Sequence, residues 1–235
     1  MNKTKQIFLV MFFLLLTDIS FAQTPLRGTL TLGANIPISD FNNVYKTGVS
    51  AEAGILYSLP LPGLDLTLTA GYDGFKYKNE YFTDLVYTNL GVPVSNFDAD
   101  WNVTDIPIML GARYKFPMTG FKPYVSGEVG IHIMNFSDRF SGSQVIGSSS
   151  NPASLSWKGE VESKTETGFG FAIGAGVEIP VISKLSIDIN GKYNYNGITY
   201  SKSFEVFRNN NSNFVTPELK NVSYITVRGG VIIDF

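Results

Sequence analysis

From residue 221 to the end, the chain alternates. Ile225, Val227, Gly229, Val231, Ile233 and Phe235 share one parity; Tyr224, Thr226, Arg228, Gly230, Ile232 and Asp234 share the other. Successive side chains of a strand point to opposite faces, so this is a ribbon with one apolar side and one mixed, partly charged side. The same pattern recurs at 26–36, 48–59, 64–77, 105–116, 122–135, 166–179 and 185–200. In 105–116, for example, Ile106, Ile108, Leu110, Ala112, Tyr114 and Phe116 oppose Asp105, Met109, Arg113 and Lys115. Most of these segments exceed the roughly 5–6 residues of an ordinary strand and suit a tilted membrane crossing of about 9–11.

The connections alternate as well. Segments 37–46, 78–103, 136–164 and the stretch around Arg208 read as long loops, with 136–164 rich in Ser and Gly and therefore mobile. Segments 59–63, 117–121 and 180–183 read as short turns, each with a proline that cannot donate to a ladder. Long and short connections in strict alternation predict an eight-stranded antiparallel up-and-down transmembrane β-barrel. Two aromatic belts are expected at the bilayer interfaces. Tyr57, Phe116, Tyr124 and Phe235 fall at the short-turn end, and Tyr72, Phe136, Phe169, Tyr193 and Tyr195 toward the long loops.

Charge separates a membrane barrel from a soluble one. The apolar parity carries almost no charge, whereas the other collects Arg27, Glu52, Arg113, Glu128, Asp188, Lys192 and Arg228. In a soluble barrel those groups would lie in a dry core, at high cost, or the apolar face would meet water as one large patch. Both difficulties vanish when the apolar face meets lipid. An eight-stranded barrel is just wide enough for side chains to fill it. Glu52, Glu128 and Asp188 are therefore expected to pair with Arg113, Lys192 and Arg228 in an ionic plug. Arg113 with Glu128, and Asp188 with Arg228, lie at similar depth on neighbouring strands. The glycines of 166–179 leave room for longer side chains opposite them.

Composition agrees with this picture. Charged residues make up 16% of the 235, against about 25% in ordinary soluble domains. A net charge of -2 argues against nucleic acid as a partner. With no cysteine there are no disulfides, thiolate chemistry or cysteine-held metals. Lys3 and Lys5, the apolar run 7–16 and Ser20-Phe21-Ala22 read as a signal peptide over residues 1–22, cleaved before Gln23, leaving 23–235 as the barrel domain.

The stretch DIPIMLGARYKF at 105–116, a short turn, and KPYVSGEVG at 122–130 resemble the outer-membrane β-barrel domain family of Bacteroidetes type, the PorT-like group. The terminal Phe strand and the Phe-Ala-Gln junction agree with it. In architecture the pattern is also similar to the OmpA and OmpX barrels. The resemblance implies fold, a Gram-negative outer-membrane location and a role for Phe235 in the signal read by the barrel assembly machinery. It supplies no catalytic set.

Candidate chemistry is sparse. His132 is the only histidine, four residues from Glu128 on the same parity, and reads as one polar lumen residue among many. No catalytic residue, cofactor or metal site is expected. The expected function is a non-enzymatic barrel with a filled lumen, periplasmic termini and long surface loops. The acidic, aromatic loop 78–103 is the best candidate for contact with an extracellular ligand or protein. A narrow conduit for small or apolar molecules, and an accessory part of a secretion machine, are the alternatives.

Overall fold

A computed structural model describes residues 26–81, 83–84, 98–146, 153–201, 204–208, 211–215 and 218–235. In order along the chain run β1 (Leu26–Pro37), the helix α1 (Ser39–Val44), β2 (Tyr45–Ser58), β3 (Leu64–Tyr77), β4 (Asp98–Lys115) and β5 (Lys122–Ile146). They are followed by β6 (Ala153–Ile182), β7 (Leu185–Ser201), β8 (Phe204–Arg208), β9 (Asn211–Val215) and β10 (Glu218–Asp234). β5, β4, β3, β2, β1, β10, β7 and β6 pair in that order, and β5 pairs with β6 to close the ring. Every pairing is antiparallel. The expected cylinder of eight strands is thus the observed one, and no sheet edge is left between first and last strands. The seam joins Leu30 to Val231 and Leu32 to Gly229.

The parity of the sequence is the parity of the wall. Leu32, Val49, Leu110, Val129 and Phe169 are all more than 60% exposed, on the outside. Arg27, Glu52, Arg113, Glu128, Asp188, Lys192 and Arg228 are all buried, on the inside. Such an inversion is stable only when lipid covers the apolar surface, because lipid asks nothing of it and the closed ladder satisfies the backbone.

Several expectations need correction. The segments 136–164 and 98–103 belong largely to strands: β5 runs 25 residues and β6 runs 30, so the hairpin outgrows the barrel wall. The alternation of Leu155, Trp157 and Val161 with Ser156, Lys158 and Glu160 continues the two-residue period there. The last long connection carries the β8–β9 hairpin, which pairs onto β6 at Leu155–Trp157. The first carries α1, whose Phe41 and Val44 are buried. The rest of the 78–103 loop lies mostly outside the described residues.

Tyr124 and Phe136 do not join the aromatic belts. Both occupy inward positions of β5 and are buried, because even-numbered residues of this strand face the lumen. Pro180 lies in β6 rather than in a turn, beside a register shift between Pro180 and Ile182. A bulge is where a sheet tolerates a residue without an N–H. The remaining turn is only Ser183-Lys184. At the other short turns Gly63 and Gly120 take φ of 80° and 90°, which disfavours any side chain.

Candidate functional site

The lumen is the candidate site, and the inward parity of the eight barrel strands builds it in layers. Nearest the short turns, the Arg27 guanidinium donates to Glu178 at 2.9 and 3.0 Å and to Asp65 at 2.6 Å. Arg113 donates to the same two carboxylates at 3.1–3.3 Å. Its Nη1 lies 3.9 Å from Asp188, and Lys115 Nζ lies 3.1 Å from Asp65. Tyr124 donates its hydroxyl proton to Asp188 at 2.8 Å, with the Arg113 guanidinium 4.5 Å above its ring.

In the middle layer Lys192 reaches across the barrel. Its Nζ donates to both oxygens of Glu52 on β2 and both of Glu128 on β5, at 2.9–3.0 Å. Arg228, from the last strand, donates to Glu52 at 2.7 Å, to Ser50 Oγ at 2.6 Å and to Asp73 at 3.3 Å. A cavity here, bordered by Glu52, Arg113, Tyr124, Glu128 and Lys192, measures about 20 Å³. That is room for about one water.

Above it lies a polar cluster. The Tyr224 hydroxyl stands 2.9 Å from Asp73 and 2.9 Å from Asp105. It has one proton, so it can donate to one of them at a time. His132 Nδ1 is 2.7 Å from Asp105, and Asn196 donates to the same carboxylate at 3.3 Å. An aromatic cap closes this end. Phe41 of α1 packs edge-on against Phe75 at 4.8 Å and at a tilt against Tyr45 at 4.7 Å, and Phe75 packs on Tyr224 at 5.0 Å. Two inward-facing residues of β5, Met134 and Phe136, are also fully buried.

All six residues expected in the ionic cluster line this lumen, and Lys192 meets Glu52 and Glu128 and Arg228 meets Glu52 as expected, but the two neighbouring-strand pairs do not form. Arg228 turns to Glu52 and Asp73 rather than Asp188, and Arg113 to Asp65 and Glu178 rather than Glu128. Long side chains cross the lumen instead of pairing along the wall. Asp65, Asp73, Asp105, Glu178 and Tyr224 complete the network, and inward parity was the only sequence signal for them. Among the described residues the buried acids are then seven (Glu52, Asp65, Asp73, Asp105, Glu128, Glu178, Asp188), facing Arg27, Arg113, Lys192, Arg228, the nearly buried Lys115, and His132, which pairs with Asp105.

The glycines of β6 make this filling possible. A Cβ on Gly170 would stand 2.5–2.6 Å from the His132 ring, and one on Gly176 2.6 Å from the Tyr124 hydroxyl. One on Gly174 would stand 2.8 Å from Lys192. His132 is paired with Asp105, not with Glu128, and its Nε2 is buried without a partner against Gly170. Among the described residues no group of His, Asp and Glu is spaced to hold a metal ion. Phe235 is exposed, with its ring edge over Gly28 of β1, where a Cβ would approach to 3.1 Å.

No curated protein matches the chain. Among solved structures it is similar to Neisserial surface protein A, with 17% identity and a TM-score of 0.50 over 89% of this chain and 96% of that one. A major outer membrane protein of Thermus thermophilus aligns at 13% identity and a TM-score of 0.46, covering 88% and 99%. OprG of Pseudomonas aeruginosa aligns at 13% and 0.45, covering 89% and 94%. At such identities the likeness concerns the fold alone. The model of the outer membrane protein beta-barrel domain matches residues 8–221. With a closed barrel, a lipid-facing exterior and that match, the chain belongs to the outer membrane protein beta-barrel domain family.

Proposed function

We propose that this protein is a non-enzymatic envelope barrel whose lumen is plugged and whose long connections form its working surface. The observation that carries this reading is Lys192, whose single ammonium ties β2 to β5 across the barrel. The arginine layers on one side and the aromatic cap on the other add two more barriers. A buried histidine with no access to solvent is a poor general base, so the Asp105–His132 pair serves packing rather than catalysis. Planar-bilayer recordings of the pure monomer test the plug. The expected trace is flat, and large steady single-channel currents would overturn the proposal.

Residues 1–22 are removed as a signal peptide, and both mature termini face the periplasm at the short-turn end. The chain falls in the PorT-like, Bacteroidetes-type group. Phe235 engages the barrel assembly machinery. The acidic, aromatic segment 79–100 contacts an extracellular ligand or protein, and its deletion is expected to abolish that binding while the barrel still inserts.

A narrow conduit is the second reading, and the break in the β3–β4 ladder at Pro107 is where its lateral opening would lie. The β3–β4 ladder runs from Leu64 to Ala70 and resumes at Asp73, skipping Gly71 and Tyr72 opposite Pro107 and Ile106. The proline ring sits over Gly71, where a Cβ would come within 2.9 Å of it, and so fills the gap it creates. Uptake of an apolar dye into proteoliposomes, lost on Pro107→Val, would favour the conduit.

A further inference from the structure

The outer surface of β2 and β3, near the long connections, carries two facing lysines beside a groove. A register shift between Lys46 and Val49 reverses the parity of β2. It places Lys46 outward, opposite Lys76 of β3, while their neighbours Tyr45 and Tyr77 pair inward. Two like charges as direct cross-strand partners repel each other. Lys46 has Glu80 at 3.7 Å, a loose and exposed partner, and Lys76 makes no ion pair among the described residues. The next lipid-facing position along β3 is Gly74, and beyond it Tyr72 begins the apolar band. Gly74 leaves a groove of about 550 Å³ bounded by Val49, Tyr72, Lys76, Asn102 and Thr104.

We infer that this groove is a binding site for the phosphate-bearing headgroup of a membrane lipid. The phosphate sits between the Lys46 and Lys76 ammoniums, and the start of an acyl chain descends over Gly74 between Val49 and Tyr72. An anion at that point turns a repulsive pair into a clamp, and the apolar lower walls distinguish a lipid from free phosphate. The step from Tyr72 to Lys76 is the step from acyl chain to headgroup. The outward orientation proposed above decides only which leaflet supplies the lipid, namely the outer one. Binding itself is read in detergent, where orientation plays no part, so the two proposals fail separately.

Native mass spectrometry of the detergent-solubilised barrel provides the test. It is run with phosphatidic acid, phosphatidylcholine and inorganic phosphate as separate probes. The wild-type barrel is expected to retain phosphatidic acid over phosphatidylcholine. Lys46→Gln and Lys76→Gln should each cost about fivefold, and together about thirtyfold. Gly74→Leu should displace the lipid and leave binding of inorganic phosphate unchanged. A Cβ at Gly74 meets only Tyr72 and Val49, at 3.5–3.8 Å, so that variant keeps the fold. Equal retention of the two lipids, or undiminished phosphatidic acid on the double lysine variant, overturns the proposal. Phosphate binding without lipid preference makes it an anion site and overturns it as well. Lys122→Gln, at the opposite end of the barrel, is the control and should change nothing.

Discussion

At the scale of single residues, parity told which side chains enter the lumen but not which ones meet there. Arg228 was legible as an inward charge because Ile225, Val227 and Val231 alternate around it. Its choice of Glu52 and Asp73 was not, because a guanidinium on a long stem reaches strands on which parity is silent. Tyr224 carries a consequence of its own. Its hydroxyl is the shared donor between Asp73 and Asp105, so Tyr224→Phe leaves two neighbouring buried carboxylates short of a hydrogen bond. The expected loss is about 2–3 kcal/mol, read as a lower urea midpoint in detergent. Lys192→Met removes the counter-ion of two buried carboxylates and should cost more, about 3–5 kcal/mol. Adding Glu128→Gln to that variant should recover part of it, and no recovery would mean the Lys192–Glu128 bond contributes nothing.

At the scale of elements, the barrel strands were legible and their extensions were not. A two-residue period survives in the outer parts of β5 and β6, but Ser and Gly dilute the apolar signal there, and no lipid demands it. Pro180 misled because a proline near a Gly-poor strand end looks like a turn, whereas a bulge accommodates it. The helix α1 is too short to announce itself by periodicity. It has no side-chain cap, and Phe41 anchors it instead. Phe41→Ala should therefore release α1 from the barrel mouth. The check is protease cleavage within residues 38–44, expected in the variant and absent in the wild type, with the barrel core intact in both. At the other end, β10 closes on Phe235, whose ring covers Gly28 at the seam. Deleting Phe235 should slow insertion into bilayers severalfold while leaving the stability of the inserted barrel nearly unchanged. A loss of stability equal to the loss of rate would make Phe235 a packing residue only.

At the scale of the whole molecule, a closed wall and a filled lumen are two separate achievements of one alternating pattern. The wall needs only apolar outward positions and ladder bonds. The lumen needs polar groups that meet across strands distant in sequence, as Lys192 does with Glu52 and Glu128. The ionic layer and the aromatic cap lie in series, so removing either alone should leave bilayer currents at background. Phe41→Ala combined with Lys192→Ser removes the cap and the Lys192 tie but leaves the Arg27 and Arg113 layer in place. With that layer still closed, the double variant should also give bilayer currents at background. Currents from Phe41→Ala alone would show that the arginine and lysine layers do not seal the barrel. Steady currents from the double variant would show that the Arg27 and Arg113 layer does not seal the barrel.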